Sequence, residues 1–428
     1  MLRVAIVLLA LGGLGGSLQP SRIVLMAIGA LSLAMLMAPR WSFGARVEAG
    51  AMLMGLSLLL LGALSLIWSP AKGDGAGLWA AVAVGLLALP IAFMCKTDWA
   101  SARQLRDAWS WAIALTIPLA LFELVTGEHF AYALEERNLG GDFGATPFAS
   151  AFFGNYNNYC TFICLALPMM LGTFESSLGR TSRWFWGCCI ALTYCILAIN
   201  TNRLSLIFSV LLLIYYLVTR KSWRWPFVFL ALAVGTVEWL GYFSEEINAI
   251  LQLAALKFDA IGAGDESVDE RAAIIVAGLQ QLQDSFGMGF GVGSFEYHLR
   301  LDHPGLIPNA HNLVIELATN FGGIAALGFL LFLAQLFVEA WRGILPPDLR
   351  AIPLMTLPFV PAIGAINSQA VGYTYWWLWL ATIYVIVASG EKHTATEARP
   401  RSPHITRLAR PGAVVTRSTQ DDKKGETN

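Results

Sequence analysis

The chain has 428 residues, of which 56% are hydrophobic and 13% charged, and its formal net charge is −1. So apolar a chain of this length is not an ordinary soluble domain, and nothing in its charge balance calls for a nucleic-acid partner. Apolar runs of about 18 residues or more recur along most of it, the mark of a polytopic membrane protein.

The first cation, Arg3, precedes an apolar run from Val4 to Leu14. No convincing A-x-A cleavage site follows, and another span comes at once, so the run reads as a retained first helix. The roughly 20-residue length that a bilayer demands places about twelve spans. They are 4–19, 22–38, 48–68, 77–95, 108–126, 157–174, 184–200, 203–219, 226–243, 311–338, 351–367 and 373–389. The joints after even-numbered spans carry the cations: Arg40 and Arg46; Lys96, Arg103 and Arg106; Arg180 and Arg183; Arg220, Lys221 and Arg224; Arg342 and Arg350. Joints after odd-numbered spans are poor in them, with Arg22, Lys72 and Arg137 as exceptions. The positive-inside rule then puts both termini in the cytoplasm.

Two outer loops are long. Gly127–Tyr156 holds Glu128, Glu135, Glu136 and Asp142. Ser244–Ala310 is the largest soluble piece. Its first part, Ser244–Phe258, has helical apolar spacing, and Ser267-Val-Asp-Glu270 is a capping box. That box starts an amphipathic helix to about Phe286, with Ile275, Val276, Leu279 and Leu282 on one side. Gly287–Ser294 has glycine at alternate positions, which suits a plain turn or an anion-cradling backbone nest. The tail from Glu391 lacks apolar periodicity and reads as disordered over 391–428. The fold expected is therefore all-α: a transmembrane domain over 1–390, holding the loop 244–310.

The six cysteines make no C-x-x-C pair and read as buried free thiols. Trp68, Trp376, Trp377 and Trp379 read as interfacial belts. The chemistry lies in polar residues at the outer ends of spans. Arg203 opens the eighth span inside apolar sequence, where a guanidinium costs a few kcal/mol unless paired or wet; it is a snorkelling cation or an anion site. Arg271, in the first turn of the capped outer helix, opposes the helix dipole. It pairs with Asp269 or Glu270, or offers its planar fork to phosphate oxygens. His311 and Asn312 open the tenth span, and Glu316 shares a face with Asn312, so the three form one polar wall or a capped helix start. A neutral imidazole near pH 7 suits removal of a proton from a hydroxyl. Asn155 and Asn157, at the start of the sixth span, are a second polar wall or a cap.

The ordered set Asn155-x-Asn157, Asn202-Arg203, Asp269-x-Arg271, Gly289-x-Gly291-x-Gly293-Ser-Phe295 and His311-Asn312-x-x-x-Glu316 with Gly322-Gly323 resembles the O-antigen ligase and polymerase superfamily of bacterial membrane glycosyltransferases. The resemblance covers about Asn155–Gly328. Asn202 stands where that family commonly has serine. The resemblance implies an inner-membrane enzyme acting at the periplasmic face on a glycan linked through pyrophosphate to undecaprenol. It implies that Arg203 and Arg271 grip the pyrophosphate and that His311 is the base, with neither nucleotide, metal nor other cofactor. The acceptor is a second lipid-linked glycan in a polymerase and lipid A–core in a ligase. Partners besides the bilayer extend to a flippase and to chain-length or export proteins. The outer loop is modest in length and poor in cations, which favours a polymerase of exopolysaccharide or O-antigen. The rival of another class, a lipid-linked glycan flippase, needs charge near the bilayer midplane, whereas Glu123, Glu238 and Glu316 lie toward outer ends.

Overall fold

The computed structural model describes residues 1–14, 16–36, 46–130, 148–200, 202–219, 266–304, 309–367 and 369–398. The expected span 226–243, the helix at 244–258 and the acidic stretch from Glu135 to Asp142 lie outside those residues. Among the described residues the protein is all-helical. Six helices are long and apolar enough to cross a membrane: Val47–Ser65, Lys72–Phe93, Trp99–Thr126, Tyr156–Ser176, Arg180–Asn200 and Gly323–Arg342. Leu2–Leu11, Pro20–Leu36 and Arg203–Thr219 are shorter apolar helices. Twelve full spans are thus not seen.

The helices, in chain order, are α1 (Leu2–Val7), α2 (Pro20–Leu36), α3 (Arg46–Ser65), α4 (Lys72–Leu86), α5 (Ala88–Phe93), α6 (Trp99–Thr126), α7 (Tyr156–Ser176), α8 (Arg180–Asn200), α9 (Arg203–Thr219), α10 (Glu266–Asp284), α11 (Ser294–Asp302), α12 (Leu313–Phe321), α13 (Gly323–Arg342), α14 (Pro347–Thr356), α15 (Val360–Ile363) and α16 (Thr374–Ala398). Four expected spans come out differently. The first ends as a helix at Val7, continues as a 3-10 turn to Leu11, and stops at Gly12, whose φ is 48°. A Cβ there would run into the Phe152 carbonyl, so only glycine lets that loop pack so close. The span expected at 311–338 is broken at Gly322 (φ 92°), where the Gly323 N–H donates to the Gly287 carbonyl at 2.8 Å. The run 351–367 is divided into α14, a 3-10 turn at Leu357–Phe359 and α15, with Pro353, Pro358 and Pro361 along it. Each proline removes a backbone donor and crowds the preceding turn, which a hydropathy window does not register. Finally, α16 runs on through Glu391 to Ala398, so the start of the tail is helical rather than disordered. Adding residues such as Glu391, Lys392 and Ala395 to a helix already formed costs far less than nucleating one.

The centre of the bundle is α16. Every residue from Thr374 to Gly390 is buried. Trp376, Trp377 and Trp379 are therefore core side chains and not an interfacial belt; the Trp377 indole donates to the Val371 carbonyl at 2.9 Å. Trp68 does lie exposed. Around α16 pack α4, α5, α6, α13 and α14, and the Trp109 indole of α6 donates to Thr382 at 3.0 Å. Against α6 lies α7, almost wholly buried, joined by Thr116–Tyr159 (2.9 Å) and Ser110–Thr173 (2.8 Å). Cys160, Cys164 and Cys189 are buried thiols as expected, but Cys188 and Cys195 are exposed on α8 and Cys95 is half-buried.

The bundle has two polar ends. At one, Arg106 is 2% exposed and bonds Asp107, Asp348 and Ser176, while Arg103 makes a two-pronged bond to Asp348 at 2.8 and 3.0 Å. These elements are the ones the cation pattern groups on one side. At the other end stand Asn155–Asn158, Asn202, Glu123, Glu316 and His311, and with them Arg22. That exception to the cation pattern donates to the Thr374 hydroxyl at 3.0 Å and the Gly372 carbonyl at 2.8 Å.

Candidate active site

The second end is built on helix starts. Asn155 caps α7, its side chain accepting from the Asn157 N–H at 2.7 Å. Asn312 caps α12 by accepting from the N–H groups of Val314 and Ile315 at 3.0 and 3.1 Å. Both asparagines thus do what the local chain needs, since the first turn of a helix leaves backbone donors without intrahelical partners. Asn202 does the same for α9, accepting from the Ser205 N–H at 3.1 Å and its hydroxyl at 2.8 Å. Its amide also donates to Asn157 Oδ1 at 2.6 Å. That bond ties the starts of α7 and α9 together and gives the asparagine before Arg203 a structural role.

Glu316 is buried in α12, which at nine residues is too short to span a bilayer and ends before the candidate span begins at Gly323. Its carboxylate accepts from the N–H groups of Ala370 and Val371 at 2.7 and 3.2 Å. Burial raises its pKa to about 7, against the opposing pull of those two bonds. The side chain therefore clamps the loop that follows α15. Glu123, at the far end of α6, repeats the device on another loop by accepting from Ser150 and Ala151, each at 2.7 Å.

His311 sits just before the α12 cap with φ 43°. A left-handed backbone is uncommon for a residue with a side chain, and such strain collects at functional positions. The ring has a backbone hydrogen bond with Asn367, in the loop that Glu316 clamps. Its Nδ1 is buried and has no hydrogen-bond partner among the described residues, which leaves Nε2 to face Asn367. The pKa is lowered to about 4, first by burial and then by the positive charge of Arg271. At pH 7 the ring is therefore neutral, with one nitrogen occupied and the lone pair of the other open to a transferred proton.

Arg271 reaches His311 because α10 lies across this end. Ile274 and Ala277 pack with Phe295 and Leu299 of α11 and with Ala310 and Ile315, which flank the histidine. A methyl on Gly278 would strike Ile315, so the helices meet at near-backbone distance. The side expected to be apolar is thus divided: Val276 and Leu279 face outward. The capping-box hydroxyl of Ser267 lies outside the described side chains. In the glycine segment, the N–H groups of Gly289, Val292, Gly293 and Ser294 all bond protein atoms, so it is a turn and not an anion nest.

Asn202, the residue before Arg203, is joined to the histidine through a relay. The Thr161 hydroxyl, one turn into α7, lies 3.0 Å from the Asn157 carbonyl and bonds Asn367 Oδ1. The Asn367 amide donates to Tyr375, and the Asn158 amide donates to Tyr373 at 2.6 Å. Asn202–Asn157, Thr161, Asn367 and His311 therefore form one continuous path. Asn367, Thr161 and the two tyrosines were not singled out in the sequence. The available signal was a lone asparagine closing an apolar, proline-bearing run. No group of three or more His, Cys, Asp or Glu side chains with the spacing of a metal site occurs among the described residues.

Residues 188–330 match the family model described as O-antigen ligase. The chain carries an O-antigen ligase family domain. That domain is about a third of the chain and holds Arg203, Arg271, His311 and Glu316, whereas Asn155, Asn157 and Asn367 lie outside it. No curated protein matches the chain. With its apolar helices, the O-antigen ligase domain marks a multi-pass membrane protein of the ligase/polymerase type, a glycosyltransferase-type enzyme, and the family implies lipid-linked glycan substrates.

Proposed function

We propose that this protein polymerises undecaprenyl-pyrophosphate-linked oligosaccharide repeats into exopolysaccharide or O-antigen at the periplasmic face of the inner membrane. The observation that carries the reading is the unengaged Nδ1 of a neutral His311 beside the Arg271 guanidinium. A hydroxyl of the acceptor repeat attacks the anomeric carbon of the donor glycan while His311 takes the hydroxyl proton. The bond from that carbon to the pyrophosphate oxygen breaks, and its electron pair leaves with undecaprenyl pyrophosphate. Arg271 and Arg203 offset the charge that develops on the departing oxygens, the point where fixed donors lower a barrier most. A lipid diphosphate is already a good leaving group, so the scheme needs neither metal nor general acid. One displacement inverts the anomeric centre.

The ligase reading is the second choice because of charge. The loop 244–310 carries three cations, Lys257, Arg271 and Arg300, against ten carboxylates. Such a surface repels a phosphate-rich lipid A–core and tolerates a neutral glycan. Incubating the purified protein with lipid-linked repeats alone tests the assignment. Chain growth with inverted configuration is expected. Transfer only when lipid A–core is supplied, or retained configuration, overturns it.

A further inference from the structure

The C-terminal end of α10 carries an apolar surface that the active-site reading does not use. Phe286 is 96% exposed and its φ is 51°, a strained backbone that turns a large apolar ring outward. Met288, two residues on, is also exposed, and so are Val276 and Leu279. Val276 and Leu279 are three residues apart and share one side of α10, and Phe286 follows in the turn just past its end at Asp284. The opposite side of α10 is the one packed on Phe295, Leu299 and Ile315.

This tip is fixed. The Phe286 and Gly287 N–H groups bond the Gln283 and Leu282 carbonyls at 2.9 and 2.8 Å, and the Gly289 N–H bonds the Ser285 hydroxyl at 2.9 Å. The Gly287 carbonyl accepts from Gly323, the first residue of candidate span α13. Along α13, Ile324, Leu327 and Leu331 form another outward stripe, with Ile324 75% exposed. The Gly287–Gly323 bond therefore sets the apolar end of α10 beside a side of α13 that is exposed among the described residues.

We infer that α10 lies on the bilayer surface, with Phe286 and Met288 inserted at the boundary between headgroups and acyl chains. A helix with one packed face and one apolar stripe, ending beside the mouth of a span, has the form of an interfacial anchor. Its occupant is bilayer phospholipid. The anchor fixes the height of Arg271, on the same helix, relative to the headgroup layer. The inference stands on exposure, backbone strain and the Gly287–Gly323 bond, and it does not depend on the catalytic reading.

The test is the environment of a nitroxide at Phe286→Cys and, separately, at Met288→Cys. The full chain, with the exposed Cys188 and Cys195 replaced by serine, is reconstituted in phosphatidylethanolamine/phosphatidylglycerol vesicles. The signal of the same chain without the added cysteine is subtracted. Collision with dissolved oxygen is expected to exceed collision with a water-soluble nickel chelate at both positions. The order should reverse at Asp302→Cys on the exposed end of α11. Chelate access at Phe286→Cys and Met288→Cys equal to that at Asp302→Cys overturns the inference. So does shielding from both reagents, which would mean a protein partner or a second copy of the chain covers the tip.

Discussion

The two polar ends of the bundle hold similar groups to different purposes. At one, the buried Arg106 meets Asp107, Asp348 and Ser176, and Arg103 adds a second guanidinium to Asp348. Asp348 stays below the usual carboxylate range because those guanidinium bonds outweigh its burial. At the other, Arg271 faces a neutral imidazole with an unengaged nitrogen and a left-handed backbone. Charge matched within the protein holds helices together. Charge placed against a base that it cannot neutralise is set up for something that arrives.

Replacing one residue at each end sharpens the contrast. His311→Ala should lower chain growth by about 10²- to 10⁴-fold, the usual share of a general base, with the thermal unfolding midpoint in detergent unchanged. Arg106→Ala should do the opposite. It takes one of two guanidiniums from the buried Asp348, which Arg103 still pairs, and is expected to destabilise by about 1.5–3 kcal/mol, while turnover per folded molecule is retained. If Arg106→Ala abolishes turnover in protein shown to be folded, the two ends are not separate in purpose. Arg203→Lys keeps the charge and loses the planar fork, so turnover should fall by roughly 10- to 100-fold through lost charge-assisted bonds worth about 1.5–3 kcal/mol. Normal turnover would remove Arg203 from the diphosphate site.

The smallest effect is the most diagnostic. Because the His311 pKa is lowered to about 4, its protonation inhibits only as pH falls through that value, and the rate should show no His311 limb between pH 5.5 and 8. Arg271 is one of the causes that depress this pKa. Arg271→Gln removes it, so imidazolium becomes easier to form and the acid limb of the residual activity should move to higher pH. A limb that stays in place would mean the guanidinium does not act on the ring.

Much of the framework was legible because it is local. Arg203–Thr219 begins and ends where apolar spacing puts it, and α3, α7 and α8 fall on their expected spans within a few residues, as α4 and α5 together do on 77–95, while α6 covers 108–126 and starts earlier. The clustering of Asn157, Glu316 and His311 at one end of the bundle follows from alternating helix directions. What was not legible is decided by distant partners. Hydropathy counts Pro358 and Gly322 as unobtrusive, yet backbone sterics break the helices there. The tryptophans of α16 look interfacial by composition, but the surrounding helices bury them. Asn367 gains its place from Thr161, 206 positions away in sequence, and from a loop held by Glu316. Asn155 and Asn312 carried two readings of equal chemistry, and only geometry showed that their oxygens satisfy helix donors.

The central position of α16 constrains how the molecule is made. Helices α4, α5, α6, α13 and α14 leave the ribosome before the element that fills the space between them. Until it arrives, the Trp109 indole lacks its Thr382 acceptor and the Glu316 carboxylate has only just met the Ala370 and Val371 amides. Assembly of the bundle must therefore hold a slot open until α16 is made, and the loop bonded to Glu316 settles only as that segment drops into place.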